Sequence, residues 1–198
     1  MIFFERNGIQ FGVLEKSAVK QDLFLFPNEH EQLERLQHPN RKVEFIGARQ
    51  LRNNMVKNQE IAYRETGKPY LKDSKLHVSI SHSASTICFG VATKPVGIDI
   101  EMPDVRSVRA SSKFCSDAES KLFDRTSIDD MTFLWSMKES IYKKIDKPGL
   151  DYKKCISIVK RGLSQTICLV KNDEIDIEVV IGHEKIDDQI LTFTIDHK

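Results

Sequence analysis

The sequence has no apolar run approaching the ~18–20 uncharged residues of a transmembrane helix. Its start, Met1-Ile2-Phe3-Phe4-Glu5, meets a charge too early for the apolar stretch of a signal peptide. Neither a membrane partner nor a secretory route is therefore expected. A charge excess of either sign is missing as well. Thirty Lys and Arg against 29 Asp and Glu leave a formal charge of +1, which argues against a nucleic-acid partner. Metal-binding cysteine spacing is also absent. Cys88, Cys115, Cys155 and Cys168 lie far apart, with no CxxC pair and no histidine at zinc spacing. Cys88 and Cys168 sit in alternating apolar runs, as reduced packing residues do, and a cytoplasmic protein is expected.

What is present suffices for a folded core. Of 198 residues, 40% are hydrophobic and 30% charged, a balance outside the disordered class. A chain of this length buries on the order of 70% of the surface it exposes when unfolded. Helical periodicity is clear from Asn40, read as an N-cap, through Phe45, Ala48, Leu51 and Met55, with Arg41, Lys42, Arg49 and Arg52 off that stripe. It recurs from about Asp129 to Ile145, ahead of the stop signal Lys147-Pro148-Gly149. A shorter helix is expected from Ser116 to about Phe123. Strands are expected on either side of the turn signal Asn7-Gly8, at 76–81, 86–93 and 96–102, and in four short runs after Gly149. The order strand, helix, strands occurs twice, and the long helices open alike, Phe45-Ile46 against Phe133-Leu134. The expected fold is therefore α+β, in two similar halves, 1–95 and 96–198. Each half is a small antiparallel sheet packed on a long helix, and the active site is expected between them.

Val96-Gly97-Ile98-Asp99-Ile100-Glu101 alternates strictly, so Asp99 and Glu101 share one strand face with Cα atoms about 6.5–7 Å apart. Two carboxylates so close repel unless a cation lies between them, an arrangement suited to Mg²⁺. The plain alternative is a solvated acidic edge. Trp135, Glu139 and Lys143 repeat at four-residue steps along one helical face, which serves a site or merely a surface ion pair. Ser81 and His82 end a strand at a turn, and Lys68 stands in the turn Gly67-Lys68-Pro69. Both places suit an anion or water equally.

In this order, GKP, SISHS, GIDIE and the helix WSMKESIYK resemble the 4′-phosphopantetheinyl transferases of the single-chain, surfactin-synthetase-activating type. The motifs span residues 67–144, and Asp99 and Lys138 stand 39 positions apart. The resemblance implies transfer of the phosphopantetheine arm of coenzyme A to a serine of an apo acyl or peptidyl carrier protein, with release of adenosine 3′,5′-bisphosphate. It also implies that Asp99, Glu101 and Glu139 hold Mg²⁺, while Lys143 stabilises or protonates the leaving phosphate. Ser81 and His82 would meet the adenosine bisphosphate, with Lys68 beside the adenine. The family's basic residues before the first long helix are replaced here by the acidic Pro27-Asn28-Glu29-His30-Glu31-Gln32. Arg41, Lys42 and Arg49 are the nearby substitutes for gripping the 3′-phosphate. Glu119 has two readings. Ser116 and Glu119 match a capping box, while the resemblance makes Glu119 the base that takes the serine proton. Two halves in one chain make a monomer sufficient. The competing functions are another Mg²⁺-dependent phosphoryl-transfer or phosphodiester-cleaving enzyme, and a non-catalytic binder of coenzyme A or carrier.

Overall fold

The computed structural model describes residues 1–195, which form two compact units, residues 1–95 and residues 96 onward. Both combine helices with antiparallel sheet. Among the described residues no helix is long and apolar enough to cross a membrane.

The first unit opens with a hairpin, β1 (Ile2–Arg6) and β2 (Ile9–Glu15). Asn7 and Gly8 between them take φ of 53° and 76°, the left-handed pair that a two-residue hairpin turn requires. Next come α1 (Pro27–Arg35), α2 (Pro39–Met55), a small hairpin of β3 (Ile61–Tyr63) and β4 (Pro69–Leu71), then β5 (His77–His82) and β6 (Thr86–Ala92). The main sheet runs β1-β2-β6-β5. Ala48 and Leu51 of α2 pack on Leu14, Ile87, Phe89 and Val91 of that sheet. The cap of α2 is His38, whose Nδ1 accepts from the Asn40 N–H, and Pro39 occupies the first helical position. Asn40 is therefore inside the helix.

The acidic segment expected ahead of the long helix is α1 itself. Its Glu29 turns inward, fully buried, reaching back to accept from the Phe26 N–H and across to the Ile61 N–H. Arg52 donates to Glu29 at 2.9 Å, and Arg49 lies 3.3 Å from it. The Arg49 guanidinium also stacks 3.4 Å over the Phe45 ring and donates to the Tyr63 hydroxyl. Arg49 is thus an interior residue, 0% exposed. This corrects the expectation that it grips a phosphate, since its charge is committed to Glu29 inside the unit.

The second unit comprises β7 (Ile98–Glu101), α3 (Val105–Ala110), α4 (Ile128–Ile145), β8 (Ile156–Lys160), β9 (Gln165–Lys171), β10 (Asp176–Ile186) and β11 (Gln189–Ile195). The sheet order is β7-β11-β10-β9-β8, antiparallel throughout. Leu134, Met137 and Ile141 of α4 pack with Ile156, Cys168, Val170 and Ile181 of the sheet. Ser127 caps α4, Asp129 and Asp130 fill its first turn, and Asp146 closes it at φ 58°, all in accord with helix-end electrostatics. The helix expected over 116–123 is reduced to a single 3₁₀ turn, Glu119–Lys121.

A close approach fixes α4 against β7. A Cβ placed on Gly97 would lie 1.9 Å from the Ser140 carbonyl oxygen and 2.6 Å from the Lys144 nitrogen. Beside it the Ser140 hydroxyl donates to the Thr192 carbonyl at 3.1 Å, and the Thr192 hydroxyl donates to the Ser136 carbonyl at 2.9 Å. Gly97→Ala must therefore push the helix off the strand. Such overpacking costs about 1–3 kcal/mol. Because α4 and β7 share the site described below, activity should fall about 100-fold. A thermal melt and a kcat/KM measurement on the variant check both, and wild-type values in both would refute the close approach.

Candidate active site

β7 brings Asp99 and Glu101 to the face turned toward α4. Register places Asp99 opposite Thr192 and Glu101 opposite Ile190 of β11. Asp99 is 3% exposed and Glu101 half-buried, so the solvated acidic edge is not what forms. Across from them, Trp135, Glu139 and Lys143 line one face of α4, as their spacing requires. The Lys143 ammonium donates to Asp99 Oδ1 at 2.7 Å, and the Trp135 indole N–H donates to Glu101 Oε1 at 3.3 Å. Tyr152, in the segment after α4, donates to Glu139 Oε1 at 2.9 Å. Its ring is held edge-on by Trp135 and Tyr142, with centroids 5.4 and 5.2 Å away.

Three carboxylates gathered in a half-buried place disturb one another. Burial, then the charge of Asp99, pushes the Glu101 carboxyl up to about 7 against the pull of Trp135 and Lys143. Burial lifts Glu139 as well, with Asp99 adding to the rise and Lys143 opposing it. Both groups hold a proton more tightly folded than unfolded. The folded chain therefore binds more protons between the ordinary 4.5 of a glutamate and about 7, and stability falls as pH rises through that window. In EDTA, Glu101→Gln should raise the melting temperature at pH 8 and leave it nearly unchanged at pH 4.5. Equal effects at both pH values would place Glu101 in open solvent.

The donor set fits a hard divalent cation, since all three candidate ligands are carboxylates and Mg²⁺ takes one or two of these along with phosphate oxygens. Among the described residues no three His, Cys, Asp or Glu side chains are gathered tightly enough to hold a metal as they stand. The Lys143 ammonium lies against Asp99. A cavity of about 290 Å³ adjoins this cluster, lined by Glu101, Met102, Ser107, Phe114, Thr132 and Trp135 among others.

The family model described as the 4′-phosphopantetheinyl transferase superfamily matches residues 95–194, the stretch that carries β7, α4 and every residue of the cluster. The chain belongs to that superfamily. A 4′-phosphopantetheinyl transferase of Bacillus subtilis is 34% identical over 127 residues, 61% of this chain and 52% of that protein. The 4′-phosphopantetheinyl transferase gsp of Aneurinibacillus migulanus is 31% identical over 98 residues, 46% and 41% of the two chains. The 4′-phosphopantetheinyl transferase Sfp of Bacillus subtilis (strain 168) is 35% identical over 89 residues, 42% and 40%. The chain spans about half the length of these relatives, or less.

Within this phosphopantetheinyl transferase superfamily member, the expected site residues separate into three groups. Asp99, Glu101, Glu139 and Lys143 come together in the second unit. Arg41 and His82 meet in the first, with Arg41 Nη1 3.0 Å from His82 Nε2. Lys42 is exposed on the same first turn of α2, Ser81 is buried beside His82, and Lys68 stands in the β3–β4 turn. Glu119 stands apart from these. Its Oε2 accepts from the Ser116 N–H and hydroxyl, both at 2.8 Å, and from Lys138 Nζ at 2.9 Å. Its Oε1 accepts from the Ile158 N–H at 3.0 Å. With 0% exposure and its oxygens committed, Glu119 is a cap and a buried ion-pair partner. The expectation of a general base is corrected accordingly.

Sequence reasoning missed Tyr152. Tyr152 follows the helix stop in a segment without periodicity, so nothing local marked it.

Proposed function

We propose that this chain transfers the 4′-phosphopantetheine arm of coenzyme A to a serine hydroxyl of an apo acyl or peptidyl carrier protein, releasing adenosine 3′,5′-bisphosphate. The convergence of Asp99, Glu101, Glu139 and Lys143 from β7 and α4, inside the segment that matches the superfamily, carries the reading. Asp99, Glu101 and Glu139 would hold Mg²⁺, which when bound neutralises charge that develops on the pyrophosphate. The serine oxygen attacks the phosphorus of the phosphopantetheine, and the bond from that phosphorus to the oxygen of the nucleotide phosphate breaks. Lys143 offers its ammonium to the departing phosphate. The serine proton passes to solvent water at the site, since Glu101 and Glu139 would be committed to the cation. Tyr152 keeps Glu139 aimed. The cavity beside Glu101 and Trp135, lined also by Asp104, Arg106, Ser107 and Thr132, would offer polar partners to the amides and hydroxyl of the arm, and Lys68, Ser81, His82, Arg41 and Lys42 would serve the nucleotide end.

The test is intact mass of several apo carriers after incubation with coenzyme A and Mg²⁺. A gain of one phosphopantetheine per carrier, abolished by EDTA, is expected. Unchanged mass on acyl and peptidyl carriers alike would overturn the reading. Arg106, Arg109 and Lys113 from one flanking segment and Lys143, Lys144 and Lys147 from the other are the candidates for a basic rim that meets an acidic carrier. The carrier KM should therefore rise from low to high salt, and a flat KM would remove that rim.

A further inference from the structure

In the first unit Glu44 lies against Lys16, Arg41 and the ring of His82. Its Oε1 accepts from Lys16 Nζ at 2.8 Å, while its Oε2 lies 3.1 Å from Arg41 Nη1 and 3.3 Å from His82 Nε2. Lys16 comes from the segment after β2, Arg41 and Glu44 from the first turns of α2, and His82 from the end of β5. Three separate stretches of chain therefore converge on one carboxylate. The Glu44 side chain is 12% exposed, whereas Arg41 is 62% exposed and His82 36%. Arg41 and the His82 ring thus face outward over the carboxylate, while Lys16 is nearly as buried as Glu44. Burial raises the Glu44 proton affinity, but Lys16, His82 and Arg41 together bring it below the ordinary value, so it is ionised at neutral pH.

One oxygen, Oε2, lies against both Arg41 Nη1 and His82 Nε2, which are themselves 3.0 Å apart, so it fills the place where an anion's oxygen would meet Arg41. We infer that Glu44 is an internal stand-in for the donor's phosphomonoester, and that it lowers this protein's dependence on the 3′-phosphate of coenzyme A. An arriving phosphate must displace Oε2 from Arg41 and His82 and leave the carboxylate on Lys16 alone. It then sits close to a like charge, a repulsion of the same order as the attraction it gains. A donor without the 3′-phosphate leaves the Glu44 contacts intact and forfeits little. This inference rests on the proposed coenzyme A reading for its ligand, though not for its electrostatics.

Calorimetric titration of coenzyme A and 3′-dephospho-coenzyme A into wild type and Glu44→Gln tests it. Wild type should bind the two within a few-fold of each other. Glu44→Gln should bind coenzyme A about tenfold more tightly and bind the dephospho form unchanged. Weaker or unchanged coenzyme A binding in a folded Glu44→Gln would overturn the inference and make Glu44 a support for Arg41. Glu44→Asp, which keeps the charge but withdraws it by one methylene, should fall between the two and stands in should the glutamine variant not fold. Inorganic phosphate separates the inference from the reading it rests on. Phosphate should raise the melting temperature of Glu44→Gln more than that of wild type whether or not coenzyme A binds. Equal shifts would refute the stand-in, whereas a larger shift with no coenzyme A binding would refute the donor assignment alone.

Discussion

Glu119→Gln is expected to destabilise the protein by about 3–5 kcal/mol, because it strands a buried ammonium. Lys138 is 0% exposed and donates to the carbonyls of Phe114, Tyr152 and Ile156 at 2.7–2.8 Å as well as to Glu119. Burial already drags the proton affinity of Lys138 down, with Glu119 the chief group opposing that. A glutamine keeps an acceptor for the Ser116 and Ile158 N–H groups but removes the counter-charge. At about 2–4 °C per kcal/mol for a chain of this size, the melting temperature should drop by roughly 10 °C. Lys138→Met should fall comparably, and the double variant should recover part of the loss, since removing both charges ends the imbalance. A Glu119→Gln protein melting within about 2 °C of wild type would show the pair to be dispensable.

Asp99→Asn should lower transfer by about 10²–10³-fold, the range for losing one preorganised charge at a reacting phosphate, without lowering metal-free stability at pH 8. The opposite signs follow from one cause. Asp99 raises the proton affinity of both Glu101 and Glu139, so its charge strains the cluster, and a neutral amide relieves the strain while still accepting from Lys143. Carrier mass after a timed incubation gives the first quantity, and a melt in EDTA gives the second. Near-normal transfer would take Asp99 out of the chemistry. A large loss of stability would make the Lys143–Asp99 pair a structural one.

The strands and long helices were legible because their apolar positions repeat. The Asn7-Gly8 turn and the stop of α4 at Ile145 lie where turn chemistry puts them, and the alternation of 98–101 places Asp99 and Glu101 on one face. What stayed hidden is polar and buried. α1 carries no apolar stripe to announce it, because the residue it sends fully inward is Glu29. Arg49 is off the apolar stripe by spacing yet lies inside, its guanidinium stacked on Phe45 and sharing Glu29 with Arg52. Periodicity counts apolar residues and is blind to charges that pair inside the core. The same blindness affected Glu119. Its spacing to Ser116 revealed the cap, but the Lys138 that claims the rest of its carboxylate lies 19 residues away on another element.

The sheet order has a consequence for the sequence of events as the polypeptide is made. Among the described residues β7, with Asp99 and Glu101, pairs within its sheet with β11 alone, and β11 begins at Gln189. Roughly 90 residues are therefore translated between the two carboxylates and the strand that pins them, a span of seconds at about 5–20 residues per second. Through that interval β8, β9 and β10 can pair in order as they emerge, while β7 awaits its neighbour. The least local pairing of the unit is the one that sets Asp99 opposite Thr192, and contacts of such long range close late. A ribosome-bound chain halted after β10 would carry folded strands and the complete GIDIE segment and still show no transfer, gaining activity only once β11 has cleared the exit tunnel.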